Sequence, residues 1–139
     1  PGFPKGFNYA GVVAFAGAIM SADGLSWESS PCPMLLFHGD ADSNVPFDKL
    51  TMGDAGLYGS LAISESLKEL SVNHWFHRFN GADHSVAINP MVRNKGEIYD
   101  FIQAVISDKV YDMNAVTTVK NGEYKTTFTI RDYIESNFK

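Results

Sequence analysis

Met34-Leu35-Leu36-Phe37 is an uninterrupted apolar run that breaks at His38-Gly39 into Asp40-Ala41-Asp42-Ser43-Asn44-Val45-Pro46-Phe47. A strand with one wet face alternates apolar and polar residues, so a run without alternation predicts a strand covered on both faces. That favours a sheet layered between helices over a one-sided antiparallel sheet. Gly39, the two aspartates and Pro46 then punctuate a tight acidic loop at the strand's carboxyl end.

The segments around this stretch fit the same architecture. Tyr9 to Ile19 is another small-and-apolar run without period-two alternation, which suits a second buried strand, with a buried helix as the alternative. Residues 20–32 supply a polar connection of the length that a crossover between parallel neighbours needs. After Pro46, Asp48 to Met52 reads as a helical turn. Leu57 to Leu70 takes on helical spacing, with Ile63, Leu67 and Leu70 on one face and Leu57 and Leu61 beside them. Asn73 to Phe79 is short and aromatic and stops at Asn80-Gly81, which predicts a third strand. Ile98, Phe101, Ile102, Val105 and Ile106 then recur at three- and four-residue intervals, predicting a second helix. Strand, crossover, strand, helix, strand, helix is the order of an α/β fold, a mostly parallel sheet flanked by helices.

The tail differs. Val116 to Val119 and Tyr124 to Phe128 flank Asn121-Gly122, a pair suited to a type I′ turn, and predict a C-terminal β-hairpin. Thr129 and Asp132 resemble a capping box for a last helix striped by Ile130, Tyr133, Ile134 and Phe138. The expected organisation is one domain over residues 1–139, with a core at 9–110 and an appended hairpin and helix at 111–139.

Composition narrows the partners. The 139 residues are 45% hydrophobic, enough for one sizeable core, and the net charge of -5 without a basic run speaks against nucleic acid. No stretch reaches the roughly 18 apolar residues of a transmembrane segment. A single cysteine, Cys32, excludes an internal disulfide and leaves the compartment undetermined. The chain opens on Pro-Gly-Phe-Pro-Lys-Gly with neither an initiating Met nor a signal-peptide layout, so an upstream segment is expected.

The chemistry lies in two loops. Asp42 follows one predicted parallel strand, and His84, in Asn80-Gly81-Ala82-Asp83-His84-Ser85, follows another. Catalytic groups in open α/β sheets gather at the carboxyl ends of the strands. A histidine that accepts a hydroxyl proton needs a carboxylate behind it to fix its tautomer and to stabilise the imidazolium. Asp40 and Asp83 are rival carboxylates: Asp40 suits turn-tightening through backbone N–H groups, and Asp83 suits shaping the histidine loop. His38 fits a scaffold role, while His74 and His77, three apart on a strand, fall on opposite faces. His38, Asp40, Asp42, Asp83 and His84 are also of types that bind zinc or manganese, but no compact ligand motif accompanies them. No cofactor or metal is expected.

Together the two loops, His38 to Phe47 and Gly81 to Ser85, resemble the acid and histidine loops of the α/β-hydrolase superfamily, nearest its lipase/carboxylesterase-like branch. The resemblance covers most of residues 9–110 and implies the last three strands and two helices of that fold. It also implies that Asp42 is the acid and His84 the general base of a serine hydrolase acting on small carboxylic esters. Peptidase and thioesterase chemistry use the same arrangement. A degenerate hydrolase fold retained for binding or structure is the reading from a different class.

The family's nucleophile, a serine in G-x-S-x-G at a strand-to-helix turn, has no match here. Ser21, Ser60 and Ser85 lack that context, and Cys32 between two prolines reads as inert. The isolated chain is therefore expected to lack turnover, with the serine and the oxyanion hole supplied by a missing N-terminal segment or a partner chain. Phe15, Phe47 and Met91 are candidate pocket-wall residues. The strand near Val12 to Ala18 would then lack a neighbour, and an open strand edge predicts self-association.

Overall fold

A computed structural model describes residues 2–120 and 123. Its central sheet has four strands in the order β1-β3-β6-β7, formed by β1 (Val12–Phe15), β3 (Met34–Gly39), β6 (Trp75–Asn80) and β7 (Met113–Thr118). Every pairing in it is parallel. Helices α1 (Ser60–Glu69), α2 (Asn89–Arg93) and α3 (Lys95–Ile106) occupy the connections, with α1 between β3 and β6 and the other two between β6 and β7.

Period-two geometry splits β3 between two cores. Leu35 and Phe37 turn to one face, where they meet Trp75, Phe79 and Phe101 of α3. Met34 and Leu36 turn to the other, against Phe76 of β6 and Ile63 and Leu67 of α1. All six residues of β3 are buried, as an apolar run without alternation requires. Each such large side chain contributes about 1.5–3 kcal/mol of hydrophobic stabilisation.

The connection between β3 and β6 holds an element the apolar spacing misassigned. β4 (Lys49–Met52) and β5 (Ala55–Tyr58) form an antiparallel hairpin, and β2 (Ile19–Ser21) adds to it in the order β2-β5-β4. The expected helical turn at 48–52 is thus a strand, and Leu57 belongs to β5 while α1 begins at Ser60. Gly53, with φ +63°, supplies the positive φ that the first position of a two-residue hairpin turn favours. Gly56 and Gly59 lower helix propensity where Leu57 alone suggested a helix. The register places Met20, Leu57 and Leu50 in one row across the three strands. Met20, Leu50 and Met52 are exposed there, whereas Ile19 and Tyr58 turn inward.

Two further expectations change. The predicted first strand of a terminal antiparallel hairpin belongs to β7, which pairs in parallel with β6 from Trp75↔Met113 to Asn80↔Thr118. The core sheet therefore extends past residue 110. The predicted strand at 124–128 and the final helix lie outside the described residues. In α3, Phe101 is buried, but Ile102 and Ile106 of the same apolar stripe are exposed. No helix among the described residues is long and apolar enough to cross a membrane.

Candidate functional site

β3 and β6 are parallel neighbours, so their carboxyl ends, Gly39 and Asn80, release the acid loop and the histidine loop side by side. Backbone bonds fasten one loop to the other. The amide of Asp40 donates to the Phe79 carbonyl at 3.1 Å, and that of Ala41 to the Ala82 carbonyl at 3.0 Å. Asp40 adds a third tie, accepting from the Gly81 amide at 2.7 Å and from Arg78 at 2.9 Å. Burial acts to raise the Asp40 pKa, and the Gly81 amide and Arg78 outweigh it and hold the carboxyl below its usual range.

Gly39 is what permits this contact. A Cβ at position 39 would run into the carbonyl groups of Ala82 and Asp83. The backbones of the two loops can approach so closely only where one of them carries no side chain.

Within this frame Asp42 and His84 meet. His84 Nδ1 lies 2.8 Å from Asp42 Oδ2, and the other carboxylate oxygen accepts from the amides of Asn44 and Val45 at 2.9 Å each. The Asp42 side chain is fully buried, which favours the neutral acid. His38, the Val45 amide, His84 and the Asn44 amide together outweigh that burial and lower the pKa from 3.8 to about 2. Asp42 is a carboxylate at neutral pH. It can only accept, so His84 Nδ1 carries a proton, and in the neutral imidazole the lone pair is on Nε2. The His84 side chain is 32% exposed, and no hydrogen bond reaches its Nε2 from the described residues. Chemically, the pair is a partly exposed imidazole whose Nδ1 is held by a buried carboxylate.

The histidine loop is shaped as expected. Asp83 accepts from the Ser85 amide at 2.8 Å and caps the 3-10 turn His84–Ala87. The rival role for Asp40 is filled by its ties to Gly81 and Arg78. Among the described residues no group of three or more His, Cys, Asp or Glu side chains is arranged to hold a metal.

The other histidines have structural partners. His74 bonds Ser64 at 2.7 Å and the Val72 carbonyl at 2.9 Å. His77 bridges Glu97 at 2.8 Å and Thr117 at 2.7 Å, with its ring stacked on Phe79. It also lines a surface groove between α3 and β7, together with Trp75 and Tyr111, that includes neither Asp42 nor His84. Phe15 stacks on Phe37 and Phe47 packs between His38 and Phe76, so both are packing residues. Met91 is half exposed on α2. Burial raises the pKa of the Cys32 thiol, which suits an inert side chain.

Sequence reasoning undervalued His38 and did not connect it to Ser60. His38 Nδ1 lies 2.8 Å from Ser60 Oγ, while Nε2 lies 3.3 Å from the Val45 carbonyl and 3.4 Å from Asp42 Oδ2. Both residues are completely buried, so Ser60 is closed to substrate and is no nucleophile. The only signal in the sequence was a polar His38 closing an otherwise apolar strand. Ser60 gave none.

No protein-family model, no curated protein and no solved structure matches this chain.

Proposed function

We propose that this chain carries the acid and the general base of a serine hydrolase acting on carboxylic esters. The observation that carries the reading is the 2.8 Å contact between Asp42 and His84 at the carboxyl ends of adjacent parallel strands. It is supported by the buried, ionised acid and by the partly exposed imidazole of His84.

In this reading a serine from a segment outside this sequence, or from a partner chain, attacks the ester carbonyl. His84 Nε2 takes the hydroxyl proton and gives it to the departing alcohol. Asp42 holds the imidazole through Nδ1 and stabilises the imidazolium formed in between. Water then hydrolyses the acyl-enzyme, with His84 again as base. Oxyanion donors come from the same outside segment or partner.

The test is hydrolysis of p-nitrophenyl acyl esters by the intact source protein and its His84→Ala variant. Loss of turnover with the fold preserved is expected, and the 139-residue chain alone should stay at background. Ester hydrolysis retained by His84→Ala would overturn the assignment.

A further inference from the structure

The carboxylate of Asp42 faces a second imidazole that the mechanism above does not use. His38 Nε2 points at two oxygens that cannot donate, the Val45 carbonyl and Asp42 Oδ2. That nitrogen must therefore bear the proton, and Nδ1 must accept from the Ser60 hydroxyl. The opposite tautomer would set a lone pair against a carboxylate in a site with no exposed surface. Ser60 is the first residue of α1, and its neighbour Gly59 is wedged against the carbonyls of Pro46 and Phe47, which close the acid loop. The serine that orients His38 is thereby fixed to the far end of the same loop.

We propose that His38 is a positioning residue for His84. Its Nε2–H, which bonds the Val45 carbonyl at 3.3 Å, also lies 3.4 Å from Asp42 Oδ2, the oxygen that holds His84 Nδ1, and so moderates the basicity of His84, with Ser60 fixing the tautomer. The physical reason is electrostatic: a polarised N–H this close to Oδ2 offsets part of its negative charge and weakens the attraction between the carboxylate and the imidazolium. A base paired too strongly to its carboxylate would stay protonated at neutral pH and could not accept the serine proton. The catalytic consequence rests on the hydrolase reading; the effect on the His84 titration does not.

Other charged groups of the two loops are Asp40, held by Arg78, and Asp83, which caps the 3-10 turn; Arg93 follows at the end of α2. The variants below leave them unchanged, so their fields cancel in the comparison.

The experiment follows the His84 ring nitrogens through a pH titration by NMR in the 139-residue chain. His38→Leu removes the donor, whereas His38→Gln offers an amide N–H near the position of Nε2. His38→Leu should raise the His84 midpoint by about half a pH unit, and His38→Gln should hold it near the parent value. Ser60→Ala should move it upward by less. If Leu and Gln shift the midpoint equally, or neither shifts it, the proposal fails. Should His38→Leu not fold, His38→Asn replaces it, because an Asn amide reaches the Nδ1 position and not Nε2. Asn is then expected to shift the midpoint as Leu would, and an Asn titration equal to that of Gln overturns the proposal. Failure of the hydrolase reading has a separate signature, ester hydrolysis that survives His84→Ala in the intact protein.

Discussion

Asp42 Oδ2 and His84 Nδ1 lie 2.8 Å apart, although forty-two positions separate the two residues in the chain. The adjacency of β3 and β6 and the missing side chain at Gly39 bring them together. The Asp42→Asn variant probes this pair directly. Its oxygen must stay with the two backbone amides, which leaves the NH2 group facing His84. The imidazole should then turn its Nε2 into the protonated nitrogen, a change that nitrogen chemical shifts report. Under the proposed hydrolase reading, kcat for ester hydrolysis should fall by about 10^4-fold. An unchanged Nδ1–H tautomer would contradict this prediction.

Acid should weaken the fold through the same carboxylate. The pKa of Asp42 is lowered from 3.8 to about 2, because the bonds from His38, Val45, His84 and Asn44 outweigh its burial. A carboxylate with a depressed folded-state pKa stabilises fully above its unfolded value and loses that contribution as pH falls through the folded one. The expected loss is about 2 kcal/mol, developed between roughly pH 4 and pH 2. Urea unfolding across that window should show a slope that Asp42→Ala removes. An equal slope in the variant would assign the loss to other carboxylates.

Gly39→Ala should damage the fold and the site together. The added methyl meets the backbone of Ala82 and Asp83, and neither can move aside as a flexible side chain would. The cost is expected to be at least about 2 kcal/mol. The His84 Nδ1 proton signal, held by Asp42 in the parent, should be lost. A variant of parental stability would show that the loops can part without strain.

The exposed half of the α3 stripe separates pattern from packing. Phe101 is 1% exposed and Ile106 is 72% exposed, although both follow the same spacing. Phe101→Ala should cost about 3–5 kcal/mol. Ile106→Ser should stay within about 0.5 kcal/mol. Equal costs in chemical denaturation would mean that Ile106 is covered in solution.

The outer side of β1 should self-associate. Val12 and Ala16 donate their amides to Pro33 and Phe37 on the β3 side. By strand alternation the amides of Val13 and Phe15 point to the side of β1 that no strand among the described residues pairs. Sedimentation should show a concentration-dependent rise in mass. A constant monomer mass at high concentration would refute it.

How much of this was legible in the sequence follows from range. Met34 to Phe37 announced a strand covered on both faces, because burial on both faces leaves an apolar run without alternation. The spacing of Phe101 and its neighbours announced α3 for an equally local reason. The acid and histidine loops were legible because Gly39, Pro46 and Gly81 mark turns at strand ends, where Asp42 and His84 fall. The helical turn expected at Asp48 to Met52 and the helical start at Leu57 were misassigned: isolated leucines carry the same spacing in a short hairpin as at the start of a helix, and the pairing of β4 and β2 with β5 distinguishes them.

The sequence by itself determined the α/β layering, the central strand and the two residues at the candidate site. Those depend on local patterns of apolar and turn-forming side chains. Tertiary structure alone decided that β7 joins the parallel sheet, that Ser60 fixes His38 behind Asp42, and that Gly39 brings the loops into contact. Each of these is a relation between distant segments, set by how closely two backbones can approach and which polar atoms must be satisfied once buried.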